Sequence, residues 1–279
     1  MTDAFFAAYA ALLSRWPAEV ESSHLDSPYG RTRVHACGPR EAPPVLLIPG
    51  GGATSLVWTS VAGPLARDHR VYAMDLIGDA GRSVARGRRM RTVADAMDWL
   101  DTVLDGLGLA KTHLCGHSYG GWLALAYAMH APHRVDRLAL LDPTDCFAGM
   151  KPAYLLHAAP SLLLPSPARV RSFLGWEIAG LPVDREWLEL SALAARLPRP
   201  RIVLPKRPRP EELRQVATPT LVLLAERSRT HDASLLADAA RRSMPSVTVD
   251  VVASASHHSL PTGASAEIAG RLSSLLGAG

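Results

Sequence analysis

Short apolar runs alternate with helix-period patterns along most of this chain. Residues 32–37, 45–48, 71–75, 112–115, 137–141, 220–225 and 248–252 read as strands. Between and after them, residues 57–67, 92–107, 121–129, 234–242 and 264–276 place apolar side chains at three- and four-residue spacing, the period of a helix buried on one side. The alternation predicts an α/β fold: a mostly parallel central sheet with helices on both faces. Ahead of it, Phe5, Phe6, Tyr9, Leu12 and Leu13 share one helical face within residues 1–16, expected to pack on the body.

The rhythm breaks between Cys146 and about Gln215. Eleven of the 22 prolines fall between Pro152 and Pro219, separating helix-like pieces at 153–158, 167–177 and 184–196. This predicts a helical cap, residues 146–215, inserted into a core made of residues 1–145 and 216–279. The insertion carries eleven Lys or Arg against six Asp or Glu, so it supplies the positive excess of a chain whose net charge is +4.

Length and composition fit one large domain with such an insertion: 279 residues, 48% hydrophobic, are ample for a packed core. A pI near 9.2 invites a nucleic-acid reading, but no basic stripe interleaved with aromatics supports one, so no nucleic-acid partner is expected. Cys37, Cys115 and Cys146 are odd in number and scattered, which argues against a disulfide framework and fits a reducing compartment. No CxxC or His/Cys run suggests a metal, and no cofactor is expected. The N-terminus lacks a basic leader and no apolar run is long enough to span a bilayer, so the expectation is a cytoplasmic protein without a membrane partner.

Chemistry enters at Gly116-His117-Ser118-Tyr119-Gly120, which follows an apolar run and precedes a helix pattern. In a strand–turn–helix setting, G-x-S-x-G acts as a nucleophile elbow: the sharp turn exposes the serine hydroxyl, and a Cβ at either glycine would collide with neighbouring backbone. A serine hydroxyl needs an imidazole to take its proton during attack. The late pair His257-His258 follows the last strand pattern. Pro49-Gly50-Gly51-Gly52, after the strand at 45–48, lacks a following Gly-Lys-Ser/Thr and so does not read as a phosphate loop.

These ordered features, together with Asp75-x-x-Gly78-x-x-Gly81-Arg82-Ser83, resemble the α/β-hydrolase superfamily over nearly the whole chain from Val45 to Leu276. The pattern is most similar to capped serine carboxylesterases and proline-iminopeptidase-like hydrolases. The resemblance implies Ser118 as nucleophile and His257 as general base, since relatives put a small residue before this histidine and Ser256 fits; His258 is the rival. It implies an oxyanion hole from the backbone amides of Tyr119 and Gly51, with Gly52 as second candidate. Pro49 stands where relatives carry a histidine that braces this loop. The usual acid, in Gly-x-x-Asp, is replaced by Ala225-Glu226-Arg227-Ser228. Asp142, at the end of the strand after the nucleophile helix, is the leading substitute, as in haloalkane dehalogenases. Asp232 is the alternative acid, although it also precedes a helix pattern as an N-cap would; Asp145 and Glu226 follow. Asp75 reads as structural and Arg82 as a loop brace.

The implied function is a serine hydrolase cleaving a carboxylic ester or thioester through an acyl-enzyme on Ser118. Dehalogenases and epoxide hydrolases need an aspartate at the elbow, and an iminopeptidase needs an acidic cap. One alternative is a tailoring thioesterase or acyltransferase, its basic stretch (Arg199, Arg201, Lys206, Arg207, Arg209) meeting an acidic carrier protein. Another is a non-catalytic binding protein of the same fold. Leu155, Leu162, Leu163, Phe173, Trp176 and Trp187 point to a small apolar ester or thioester substrate.

Overall fold

A computed structural model of the chain describes residues 2–16, 19–198, 201–263 and 265–277. Helix α1 (Thr2–Leu13) is followed by β1 (Glu21–Ser27), β2 (Gly30–Cys37) and β3 (Pro44–Ile48). Next come α2 (Thr59–Leu65), β4 (Arg70–Met74), β5 (Val84–Ala85), α3 (Val93–Gly106), β6 (Thr112–His117), α4 (Tyr119–His130) and β7 (Val135–Leu141). The chain then leaves the sheet for α5 (Pro152–Leu163), α6 (Pro167–Ile178), α7 (Arg185–Ala194) and α8 (Pro210–Leu213). It returns as β8 (Thr220–Ala225), α9 (Ala233–Ser243), β9 (Val247–Val252), α10 (Ser259–Gly263) and α11 (Ser265–Leu276). Arg199, from the basic stretch, lies outside the described residues.

Among the described residues nine strands form one sheet in the order β1-β2-β4-β3-β6-β7-β8-β9, with β5 pairing β2. From β4 to β9 the pairings are parallel, and β2 joins this block antiparallel. Both faces are covered, as the alternating pattern requires. In β3, Val45 and Leu47 face α1, α2 and α11, whereas Leu46 and Ile48 face α3, α4 and α9. Period-2 alternation along one buried strand thus feeds two apolar layers.

The strand β1 and the short helices α8 and α10 escape the apolar pattern. Glu21–Ser27 is polar and largely exposed at the sheet edge, so no hydrophobic run marks it; its order comes from pairing with β2. The helix read at 57–67 begins instead as a 3₁₀ turn (Ser55–Trp58) before α2.

Asp75, at the end of β4, is fully buried and ties three segments together. It accepts from the Ser55 amide and hydroxyl at 2.7 Å, the Arg82 amide at 2.7 Å and the Tyr9 hydroxyl at 2.9 Å. The Arg82 guanidinium lies over Phe6 and Tyr9, at 4.9 and 5.1 Å from the ring centres. These contacts seat α1 against the loop above the sheet.

Candidate functional site

The site forms at the carboxyl ends of the strands, where an α/β sheet offers a crevice. Ser118 sits between β6 and α4 with φ 55° and ψ −120°, outside the regions open to most side chains. The turn is tight enough to exclude side chains beside it: a Cβ on Gly116 would lie 2.1 Å from the Gly120 carbonyl oxygen, and one on Gly120 would lie 2.3 Å from that of Ile48. The elbow thus needs those two glycines for space.

His257, on the loop after β9, reaches the elbow. Its Nε2 is 2.9 Å from Ser118 Oγ and its Nδ1 is 2.6 Å from Asp142 Oδ2. Asp142 follows β7 with φ 40° and no exposure. Burial alone would raise its pKa. The hydrogen bond and charge of His257, the charge of His231 and the hydroxyl of Ser228 outweigh that and hold it below the usual carboxylate range. Ser228, in the place where the resemblance puts an acid, donates to Asp142 Oδ2 at 2.7 Å, and the Ala225 amide donates to Oδ1 at 3.3 Å.

The other candidate carboxylates are engaged elsewhere. Asp232 is exposed and caps α9 by accepting from the Ser234 and Leu235 amides, both at 3.1 Å. Asp145 pairs with Arg207 at 3.3 Å, and exposed Glu226 accepts from the Ser254 amide at 3.0 Å. His258 packs against Phe173 and Trp187 with no hydrogen bond to Ser118, and burial followed by the charge of His257 keeps its pKa well down.

Two further histidines crowd His257. His117 Nε2 donates to the His257 carbonyl at 2.9 Å; burial, then the neighbouring His257, press its pKa down to about 3, so it stays a neutral donor. His231 is buried 6.0 Å from the His257 ring, and burial likewise lowers its pKa. Asp142, His231 and His257 each present a ligand atom within 4.8 Å of the others, a metal-compatible grouping that sequence separation hides. Two of those atoms already share the 2.6 Å hydrogen bond.

The glycine-rich loop faces the elbow. The Gly52 amide donates to Asp79 Oδ2 at 2.7 Å, which commits it, and the Ala80 amide binds Asp79 Oδ1 at the same distance. Asp79 braces the loop on the side where Pro49 supplies no side-chain donor. A Cβ on Gly51 would lie 3.7 Å from that of Tyr119, so this peptide runs beside the start of α4. As the first residue of α4, Tyr119 has an amide with no carbonyl a turn earlier to bond.

Ser118 opens into a cavity of about 330 Å³ between the loop and the inserted helices. Val57, Leu155, Val170, Phe173, Leu174 and Trp187 give it an apolar wall. Leu162 also lines it, while Trp176 stacks on His157 at 3.9 Å beneath the Arg229 guanidinium. The segment after α7 folds back over the elbow helix: Tyr119 Oη donates to the Val203 carbonyl at 2.8 Å and Trp122 Nε1 to that of Lys206 at 3.0 Å.

A further carboxylate reaches His257 from α6. Glu177, on α6, is fully buried and accepts from the His257 amide at 2.9 Å, the Ser256 hydroxyl at 3.2 Å and the His258 amide at 3.3 Å. An acidic residue inside Phe173-Leu174-Gly175-Trp176-Glu177-Ile178 was the signal available.

A family model described as the alpha/beta hydrolase fold matches residues 43–160. Carboxylesterase YbfK of Bacillus subtilis (strain 168) is 29% identical over 91% of this chain and 87% of its own length. The crystal structure of naproxen esterase (carboxylesterase NP) from Bacillus subtilis is similar at TM-score 0.89 and 26% identity, covering 98% of this chain and 96% of that one. Carboxylesterase CesB (YbfK) from the same organism gives TM-score 0.91 at 26% identity, covering 99% and 98%. Among the described residues, no helix is long and apolar enough to cross a membrane.

Proposed function

Because this chain belongs to the α/β-hydrolase superfamily and is a hydrolase acting on ester bonds, we propose that Ser118 is its nucleophile, His257 its general base and Asp142 the acid of its triad. One observation carries the reading: the unbroken chain from Ser118 Oγ through both nitrogens of His257 to Asp142, at 2.9 and 2.6 Å. Asp142, ionised by its surroundings, accepts a hydrogen bond from Nδ1–H, and holding the proton on Nδ1 leaves Nε2 bare and facing the hydroxyl.

In the proposed cycle, Ser118 Oγ attacks the ester carbonyl carbon while Nε2 takes its proton. The carbonyl oxygen becomes an alkoxide, met by the amides of Tyr119 and Gly51. Collapse expels the alcohol oxygen, which collects the proton from Nε2, and leaves an acyl-enzyme. A water then gives its proton to Nε2, attacks the acyl carbon, and the acid departs as Ser118 recovers its proton.

Residues 146–215 act in this reading as a cap whose helices close the apolar cavity over Ser118, and the substrate is a small neutral ester with an apolar acyl or alcohol group. Among the described residues no Lys or Arg lines that cavity. A fluorophosphonate probe tests the assignment: it should label the parent protein, and Ser118→Ala should neither label nor turn over p-nitrophenyl esters. Retained turnover in Ser118→Ala would refute it.

A further inference from the structure

We propose that Glu177 is a positioning residue for the general base: from α6 its carboxylate fixes the main chain of His257 and adds a second negative charge beside the imidazole. The inference rests on the reading of Ser118 and His257 as nucleophile and base.

A carboxylate with no solvent exposure costs several kcal/mol unless it is compensated. Among the described residues no cation pairs with Glu177. Its compensation comes from the amides of His257 and His258 and the hydroxyl of Ser256, three consecutive residues around the base. The other side of the same residue is held by the elbow, where His117 Nε2 donates to the His257 carbonyl at 2.9 Å. His117 directly precedes Ser118. The backbone of His257 is therefore gripped between α6 and the elbow turn, which sets the point from which its ring reaches Asp142 and Ser118.

The charge adds a second effect. The groups facing the His257 ring are Asp142, His117 at 4.7 Å between ring centres, His258 at 4.9 Å, His231 at 6.0 Å and Tyr154 at 6.2 Å. Burial disfavours charge on all three histidines and raises the pKa of Tyr154. Among the described residues, Asp142 bonds the ring of His257 and Glu177 bonds its main chain, so two carboxylates attend an imidazole that becomes positive during attack. Burial also lifts the pKa of Glu177, while the charge of His257, the His258 amide and the Ser256 hydroxyl oppose that rise.

The test compares kcat, KM and the acidic limb of the pH–rate profile for a short p-nitrophenyl ester in the parent, Glu177→Gln and Glu177→Asp, with melting curves for each. Glutamine can still accept the His257 amide but carries no charge. It is expected to hold KM within about twofold, lower kcat about tenfold, and move the acidic limb down by about half a pH unit, because removing a nearby negative charge favours the neutral imidazole. A folded Gln variant whose limb and kcat match the parent overturns the proposal. If the Gln variant does not fold, the Asp variant decides. Its shorter arm keeps the charge but loosens the grip, so a lower kcat at unchanged KM supports the proposal and an unchanged kcat overturns it. A parent protein that neither labels with fluorophosphonate nor turns over any ester would sink the underlying site reading instead.

Discussion

Ser228 donates its hydroxyl to Asp142 at 2.7 Å, onto the same carboxylate oxygen that meets His257 Nδ1 at 2.6 Å. In the proposed triad, Ser228 thus supports an acid supplied by the end of the neighbouring strand β7. A carboxylate is expected to dominate this pair. Asp142→Asn should lower kcat by roughly 10⁴-fold, since the amide favours the wrong imidazole tautomer. Ser228→Ala, which removes one neutral donor, should cost on the order of tenfold. Steady-state kinetics of the two variants on one ester checks the ranking, and equal losses would contradict it.

Asp232 carries the opposite expectation. Its carboxylate caps α9 and lies exposed, so Asp232→Ala should leave kcat/KM within about twofold while costing ~1 kcal/mol of stability through the lost cap. Paired activity and urea-denaturation measurements separate the two roles.

Two glycines with different surroundings divide space from chemistry. A Cβ on Gly120 would meet the Ile48 and Pro49 carbonyl oxygens at 2.3 and 2.4 Å, backbone atoms that cannot swing aside. Gly120→Ala should therefore fail to accumulate as soluble protein. At Gly51 a Cβ meets only side-chain atoms, the nearest at 3.5 Å, and the proposed role belongs to the amide. Gly51→Ala should fold and keep activity within about tenfold; complete loss in a folded variant would argue against an amide-only role.

Asp79 gives a pH dependence. Burial, against the pull of the Gly52 and Ala80 amides, pushes its pKa up to about 6. An aspartate in an unfolded chain titrates near about 3.9. Between those values the folded protein holds a proton that the unfolded chain has released, so this group withdraws stability as pH rises from about 4 to 6. Asp79→Asn cannot ionise and still offers an oxygen to the Gly52 amide. It should melt above the parent near pH ~8, by a margin that closes toward pH ~4. A constant margin across that range would count against the shifted titration.

The strands facing helices on both sides were legible because continuous apolar runs admit few other placements; Thr220–Ala225 was read to the residue. The elbow was legible because its glycines sit between a strand and a helix pattern. β1 was not, since a polar edge strand is specified by its partner. The proposal of Asp142 over Asp232 rests on sheet geometry that no local spacing records: the Asp142 amide bonds the Leu223 carbonyl at 2.8 Å and its carboxylate meets His257. Glu177 and Asp79 were unreadable as partners for a simpler reason. Each meets its amide across a loop or an insertion, and no local spacing records such a meeting.

The tail of the insertion is tied down: Val203 and Lys206 hang from Tyr119 and Trp122, and Arg201 bonds Gly78. α6 is moored to the base through Glu177. α5 buries least of the three long helices, only Ala158, while Leu156 and Leu162 stand 74% and 68% exposed. The cavity wall supplied by α5 therefore turns leucines toward solvent on its outer side while Tyr154 and His157 pack on Phe173 and Trp176 of α6.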